Sequence, residues 1–260
     1  MQTKIFSMSA TDVDADAINE CGEIIKHGGL VAFPTETVYG LGADATDADA
    51  AKKIYAAKGR PSDNPLIIHI ANPADAEKYA YTQPVFYKLA DAFMPGPLTV
   101  IMKKKNSIPD GVTGGLDTVA VRCPDHPIAR ALISASETAI AAPSANLSGS
   151  PSPTLGEHVV ADMNGIIDAI IDGGICEIGL ESTIVKIDGD DEITLLRPGK
   201  ITVEDLERVA SRVKIADAVV DKLQALIRES YPNADILVRP TRVLCSYYAE
   251  KGGYLVGFEC

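Results

Sequence analysis

The run Leu66-Ile67-Ile68-His69-Ile70 is apolar on both faces, which suits a strand only where helices cover each side of a sheet. The flanking sequence supplies such helices. Over 47–57 the residues Ala51, Ile54 and Tyr55 recur at helical spacing. Over 11–27 so do Val13, Ala17, Ile18, Cys21, Ile24 and Ile25, behind Thr11 or Asp12 as N-cap and ahead of Gly28-Gly29 as a stop. Helical stretches over 74–79, 85–93 and 128–136 alternate with apolar runs at 30–33, 98–102, 118–122, 138–142, 166–171, 182–187 and 192–196. A helix over 203–210, capped by Thr202, closes the series. Roughly seven or eight strands mixed with helices predict an α/β domain over about residues 1–210, with no internal repeat.

Beyond Val213 the texture changes. Residues 217–229 read as a helix, while 230–260 mix Pro, Gly and aromatic residues with two short apolar runs, too little to bury an independent core. The expected division is therefore a domain over 1–212 and an arm over 213–260 that packs on it.

Composition narrows the function classes. The chain of 260 residues is 46% hydrophobic and carries a formal net charge of −12, so long-range electrostatics repel polyanions, and a small anionic ligand needs a local cationic pocket. No apolar run approaches the ~18 residues of a membrane span, and the N-terminus has an acidic helical pattern where a signal peptide is basic and then apolar, so a cytoplasmic location is expected. Cys21, Cys123, Cys176, Cys245 and Cys260 are odd in number and dispersed, without C-x-x-C spacing, and read as reduced thiols rather than a disulfide framework or zinc site. The P-loop, dinucleotide-fold, zincin and nucleophile-elbow motifs are all missing.

The informative segments sit at strand ends, where polar groups can converge on a cleft. Pro34-Thr35-Glu36-Thr37-Val38-Tyr39-Gly40-Leu41-Gly42 leaves a buried strand with hydroxyls and a carboxylate that suit either a polar ligand or a turn satisfying its own backbone. Lys58-Gly59-Arg60-Pro61, followed by Asn64-Pro65-Leu66, places two cations at a helix C-terminus, for phosphate oxygens or for the helix dipole. His69 inside an apolar strand reads as a hydrogen-bonded core residue or a ligand contact. Arg122 ends Val119-Ala120-Val121, a strand built for burial, and a buried guanidinium demands an anion: Asp117, Asp125 or a ligand carboxylate. Ala141-Ala142-Pro143-Ser144-Ala145-Asn146-Leu147-Ser148-Gly149 offers close backbone approach and neutral donors, or an ordinary turn. Gly179-Leu180-Glu181-Ser182-Thr183 and Leu196-Arg197-Pro198-Gly199 add a hydroxyl pair and a further strand-end arginine, while Lys103-Lys104-Lys105 reads as a solvated strand exit.

Taken in order, these segments, together with Pro95-Gly96-Pro97-Leu98-Thr99 and His126-Pro127, resemble the threonylcarbamoyl-AMP synthase family, the YrdC/Sua5/TsaC group, over about residues 10–210. The resemblance implies a YrdC-like α/β fold: a twisted, open, mixed sheet with flanking helices and a large concave cavity. It implies synthesis of L-threonylcarbamoyladenylate and pyrophosphate from L-threonine, bicarbonate or CO2, and ATP, with Mg2+ accompanying the nucleotide. The product feeds a downstream transferase complex that makes N6-threonylcarbamoyladenosine at position 37 of tRNA.

By the same resemblance Thr35, His69, Arg122, Ala142 and Ser182 hold L-threonine, with Arg122 on its carboxylate. Lys58, Arg60, Asn64, Thr118, Ser144, Asn146, Ser152 and Arg197 hold ATP. No protein nucleophile or protein-held metal is implied; Lys58, Arg60 and Arg122 position the reactants, and the cavity is expected to be locally cationic. Longer Sua5-type members continue into a linker and a second domain; here Arg239-Pro240-Thr241-Arg242 and Ser246-Tyr247-Tyr248-Ala249-Glu250 only faintly echo that linker, and the second domain is expected to be absent. The alternative reading is a non-catalytic double-stranded RNA or tRNA-binding module of the same fold, against which the net charge of −12 weighs; tRNA binding is expected to be weak or none. A third is a carbamoyl-adenylate-forming domain like that of the hydrogenase-maturation carbamoyltransferases.

Overall fold

Short apolar runs become strands and the segments between them become helices, in an order that alternates along most of the chain. The structure, a computed structural model, describes residues 2–59 and 64–230 together with the strands Leu244–Ser246 and Gly257–Glu259. The first half runs β1 (Lys4–Ser7), α1 (Ala15–Lys26), β2 (Val31–Phe33), β3 (Gly40–Asp44), α2 (Ala48–Lys58), β4 (Ile67–His69), a 3-10 turn (Pro73–Asp75) into α3 (Ala76–Tyr79), α4 (Pro84–Phe93) and β5 (Leu98–Lys103). The second half runs α5 (Asp110–Thr113), β6 (Thr118–Arg122), α6 (Pro127–Ser136), β7 (Ile140–Ala142), α7 (Gly156–Met163), β8 (Ala169–Asp172), β9 (Thr183–Gly189), β10 (Glu192–Arg197), α8 (Val203–Glu207), β11 (Arg212–Ile215) and α9 (Asp217–Ser230). Leu244–Ser246 and Gly257–Glu259 pair as an antiparallel hairpin.

The helix caps show where side-chain oxygens cover the free amides of a first turn. At α1 this is Asp14, which accepts from the amides of Asp16 and Ala17, rather than the expected Thr11 or Asp12. Gly28, at φ +72°, turns the chain out of that helix. Thr202 caps α8 as expected, in a reciprocal pair with Asp205.

The main sheet has eleven strands among the described residues, in the order β1-β8-β2-β3-β7-β4-β6-β5-β9-β10-β11, more than the seven or eight expected. It is mixed: β4 and β6 are parallel, as are β5 and β9, whereas β4/β7, β5/β6 and β9/β10 are antiparallel. The additional strands have physical reasons for being hard to read. β1 and β11 are largely exposed edges, and β3 is Gly-Leu-Gly-Ala-Asp, a composition poor in strand formers. Gly42 is there because Phe33 and Ile140 pack over it: an added Cβ would sit 2.7 Å from the Ile140 side chain and 2.8 Å from the Phe33 ring. β11 pairs with β10, so the expected division at 212/213 runs through a strand.

Alternation along each strand sorts the sheet into two unlike faces. On one, Leu41, Ala43, Ile68, Val100, Val121, Val185 and Leu195 join Ile54 of α2 and Phe86 and Leu89 of α4 in a continuous core. On the other, α1 and α6 pack on each other and on Val31, Phe33, Ile140, Ala142 and Ile171, but this second core extends no further. Beyond it the same face presents Ile67 and His69 of β4, Ala120 and Arg122 of β6, Ile101 of β5 and Ile184 of β9 to a cavity of about 300 Å³.

Candidate functional site

Register places the polar residues of the cavity floor. His69 pairs with Arg122, Arg122 with Thr99, Thr99 with Ile184, and Ile184 with Arg197, so one row across four strand pairs carries two arginines and a histidine. The walls come from four strand-end segments, with Thr35 and Val38 to Gly40 leading from β2 into β3, Asn64 and Pro65 before β4, Ala142 to Ser144 at the end of β7, and Glu181 with Ser182 before β9, and from Ser152.

Arg122 is 4% exposed and its ion partner is Glu36, neither Asp117 nor Asp125: Nη2 lies 2.7 Å from Glu36 Oε1. The contact lacks hydrogen-bond alignment. Both Glu36 oxygens and Arg122 Nε are buried without a hydrogen-bond partner among the described residues, and only a long 3.5 Å bond joins Arg122 Nη2 to Thr35 Oγ1. A native interior seldom leaves such atoms alone, because each costs about 1–3 kcal/mol. Thr35 donates to the Val38 carbonyl at 2.7 Å and accepts from the Thr37 and Val38 amides, so the turn does satisfy its own backbone, and Thr35 is also among the residues that line the cavity.

His69 donates from Nδ1 to the Ile67 carbonyl at 3.2 Å and meets the Phe33 ring edge-on. Burial, reinforced by the Arg122 charge, pulls its pKa down to about 3, so the imidazole is neutral at physiological pH. Ser182 links two neighbours, at 2.7 Å from the Thr99 hydroxyl and 3.1 Å from Arg197 Nη2, which donates to it. Arg197 Nε also donates to the Ser182 carbonyl at 3.0 Å, and burial lowers its pKa against the opposing pull of Glu181. Gly199 makes this possible: an added Cβ would lie 2.6 Å from the Thr183 amide nitrogen. Ser152 donates to Glu181 Oε1 at 2.6 Å, which holds that carboxyl below its usual range.

All five residues expected at L-threonine, Thr35, His69, Arg122, Ala142 and Ser182, line this cavity, as do Asn64, Ser144, Ser152 and Arg197 from the nucleotide set. Lys58, Thr118 and Asn146 are not among the lining residues. Lys58 is buried, and its ammonium donates to the carbonyls of Ser144 at 2.5 Å and Asn146 at 2.6 Å and to Asn146 Oδ1 at 3.2 Å. Asn146 in turn donates to the carbonyls of Leu147 and Ser150. These groups clamp the loop after β7. Arg60 lies outside the described residues, as do Tyr247 and Tyr248.

Of the residues expected to make the cavity cationic, Arg122 and Arg197 line it, Lys58 does not, and Arg60 lies outside the described residues. Among the described residues the charged groups that line the cavity are Arg122, Arg197 and Glu181, and Glu36 pairs with Arg122 without lining it. Sequence reasoning saw the cations at strand ends and missed that Glu36 and Glu181, from loops far apart in sequence, fold onto them. Burial pushes the Cys123 and Cys176 thiols up to about 11, which removes them as thiolate nucleophiles.

The family model Sua5_yciO_yrdC, described as telomere recombination, matches residues 23–199. The chain belongs to this family. It is 50% identical over 222 residues to the threonylcarbamoyl-AMP synthase of Pyrococcus abyssi, covering 82% of this chain and 65% of the relative. It is 48% identical over 227 residues to the threonylcarbamoyl-AMP synthase of Bacillus subtilis, again 65% of the relative and 85% of this chain. A crystal structure of P. abyssi Sua5 complexed with L-threonine superposes with a TM-score of 0.79 at 48% identity, over 85% of this chain and 64% of that one. The chain therefore spans about 65% of the length of these curated relatives. The fold expectation of a twisted, open, mixed sheet with flanking helices agrees with these family structures.

Proposed function

We propose that this chain makes L-threonylcarbamoyladenylate and pyrophosphate from L-threonine, bicarbonate or CO2, and MgATP. The observation that carries the reading is Arg122: a buried guanidinium whose Nε has no hydrogen-bond partner among the described residues, on the floor of a cavity walled by Thr35, His69, Ala142 and Ser182. The names of the P. abyssi and B. subtilis relatives, and the L-threonine bound to P. abyssi Sua5, support it.

The chemistry asks little covalent work of the protein. The threonine amine adds to CO2, the resulting carbamate oxygen attacks the α-phosphorus, and pyrophosphate leaves; alignment, charge balance and exclusion of water are what the site must supply. In this reading Arg122 holds the amino-acid carboxylate, while neutral His69 and the Thr35 and Ser182 hydroxyls bound the same pocket without adding charge. Arg197, tied to Ser182, reaches toward the nucleotide phosphates, with Asn64, Ser144 and Ser152 on the same side. Lys58 acts through the loop it clamps, by fixing Ser144. Mg2+ enters as part of the nucleotide substrate, and among the described residues Glu181, already paired with Ser152, is the one carboxylate lining the cavity. We assign transfer to tRNA to a downstream partner, in keeping with the net charge of −12.

Pyrophosphate release is expected to require ATP, L-threonine and bicarbonate together. Release indifferent to threonine, or tight tRNA binding that falls steeply with salt and no release at all, contradicts the proposal.

A further inference from the structure

Glu36 is the buried charged group that the reaction leaves unused. Its carboxylate does not line the cavity; it is 5% exposed, 2.7 Å from Arg122 Nη2, and neither oxygen has a hydrogen-bond partner among the described residues. The titratable neighbours that face it are Arg122, His126, Cys123 and Cys176. Burial lowers the His126 pKa and raises those of both thiols, so at neutral pH none of these three offsets the Glu36 charge. Arg122 alone does.

We propose that Glu36 is a positioning residue that, by pre-neutralising Arg122 from behind, makes the site select a zwitterionic amino acid over a plain carboxylate. The inference rests on the reading that the ligand carboxylate meets Arg122. A second carboxylate brought to a guanidinium already paired with Glu36 leaves one buried negative charge uncompensated, and like-charge juxtaposition in a desolvated site is costly. The α-ammonium of an amino acid brings its own compensation; 3-hydroxybutyrate, which is threonine without that group, does not. Without Glu36, Arg122 would accept either.

The test is calorimetric titration of the full chain with L-threonine and with 3-hydroxybutyrate. In Glu36→Gln, which keeps the shape and loses the charge, the preference for threonine is expected to fall by about tenfold or more, chiefly through tighter hydroxybutyrate binding. Glu36→Asp, which keeps the charge, is expected to retain the preference. A second measurement uses the wild-type protein alone and so does not depend on a variant folding. The wild type is expected to bind hydroxybutyrate at least about tenfold more weakly than L-threonine. An unchanged preference in Glu36→Gln, or a wild-type affinity for hydroxybutyrate equal to that for L-threonine, overturns the proposal while leaving the functional reading intact. Failure of the wild type to bind L-threonine at all overturns both.

Discussion

Two buried cations near the cavity are treated in opposite ways. Lys58 is met by three oxygens of the loop after β7, and its ammonium holds that loop in place. Arg122 is met by one carboxylate without hydrogen-bond alignment, and three polar atoms of that pair have no hydrogen-bond partner among the described residues. Lys58 has its directional bonds made by neutral oxygens, whereas Arg122 has an ion partner without them. A polar cluster that is complete supports structure; one that is charge-balanced yet short of donors and acceptors has capacity for a ligand.

Breaking the Arg122 side is expected to have the largest effect. Arg122→Ala should cut threonine-dependent pyrophosphate release at least ~100-fold and, by stranding Glu36, lower the unfolding free energy by about 3–5 kcal/mol. Adding Glu36→Gln should restore much of the stability but none of the activity, as read by urea unfolding beside the release assay; full stability in the single variant would mean that Glu36 is not a buried charge. Breaking the Lys58 side with Lys58→Met should cost about 2–3 kcal/mol, because the carbonyls of Ser144 and Asn146 lose their donor. A stability change near zero there would show that the loop does not depend on the ammonium.

His69 sharpens the comparison through pH. The unfolded chain protonates this histidine near 6.5, whereas the folded one holds it neutral down to about 3, so folding stability falls as the pH drops through that window. Urea unfolding of wild type and His69→Gln should diverge below pH 6, the variant losing about 1.4 kcal/mol less per pH unit. Parallel pH profiles would mean that the imidazole is not buried neutral. The smallest effect is expected from Ser182→Ala, about 1 kcal/mol of stability and a several-fold rise in the threonine KM with kcat nearly unchanged, because Arg197 keeps its second bond to the Ser182 backbone carbonyl.

Much of the fold was legible because burial on both faces leaves a simple trace: every expected apolar run from 30–33 to 192–196 overlaps a strand. β3 was not legible, since Gly42 is chosen by the side chains of Phe33 and Ile140 packed over it and not by strand preference. The site followed the same rule. Strand-end hydroxyls and arginines marked where the cavity would open, and Arg122 stood out because its strand was otherwise apolar. The identity of its partner did not, because Glu36 reaches it from a turn 86 positions away, a proximity that only the sheet order β3-β7-β4-β6 creates. Lys58 could be read for phosphate or for the helix dipole, and the loop carbonyls that meet it belong to a segment far along the chain.

The central claim, that Arg122 is the point where the ligand is held, is tested most directly by a crystal structure of this chain soaked with L-threonine and ATP. The threonine carboxylate is predicted within hydrogen-bond distance of the Arg122 guanidinium, on the cavity side, with Glu36 still behind it and the Lys58 clamp unchanged. Threonine bound elsewhere, or Arg122 turned away from it toward Glu36, would contradict the account.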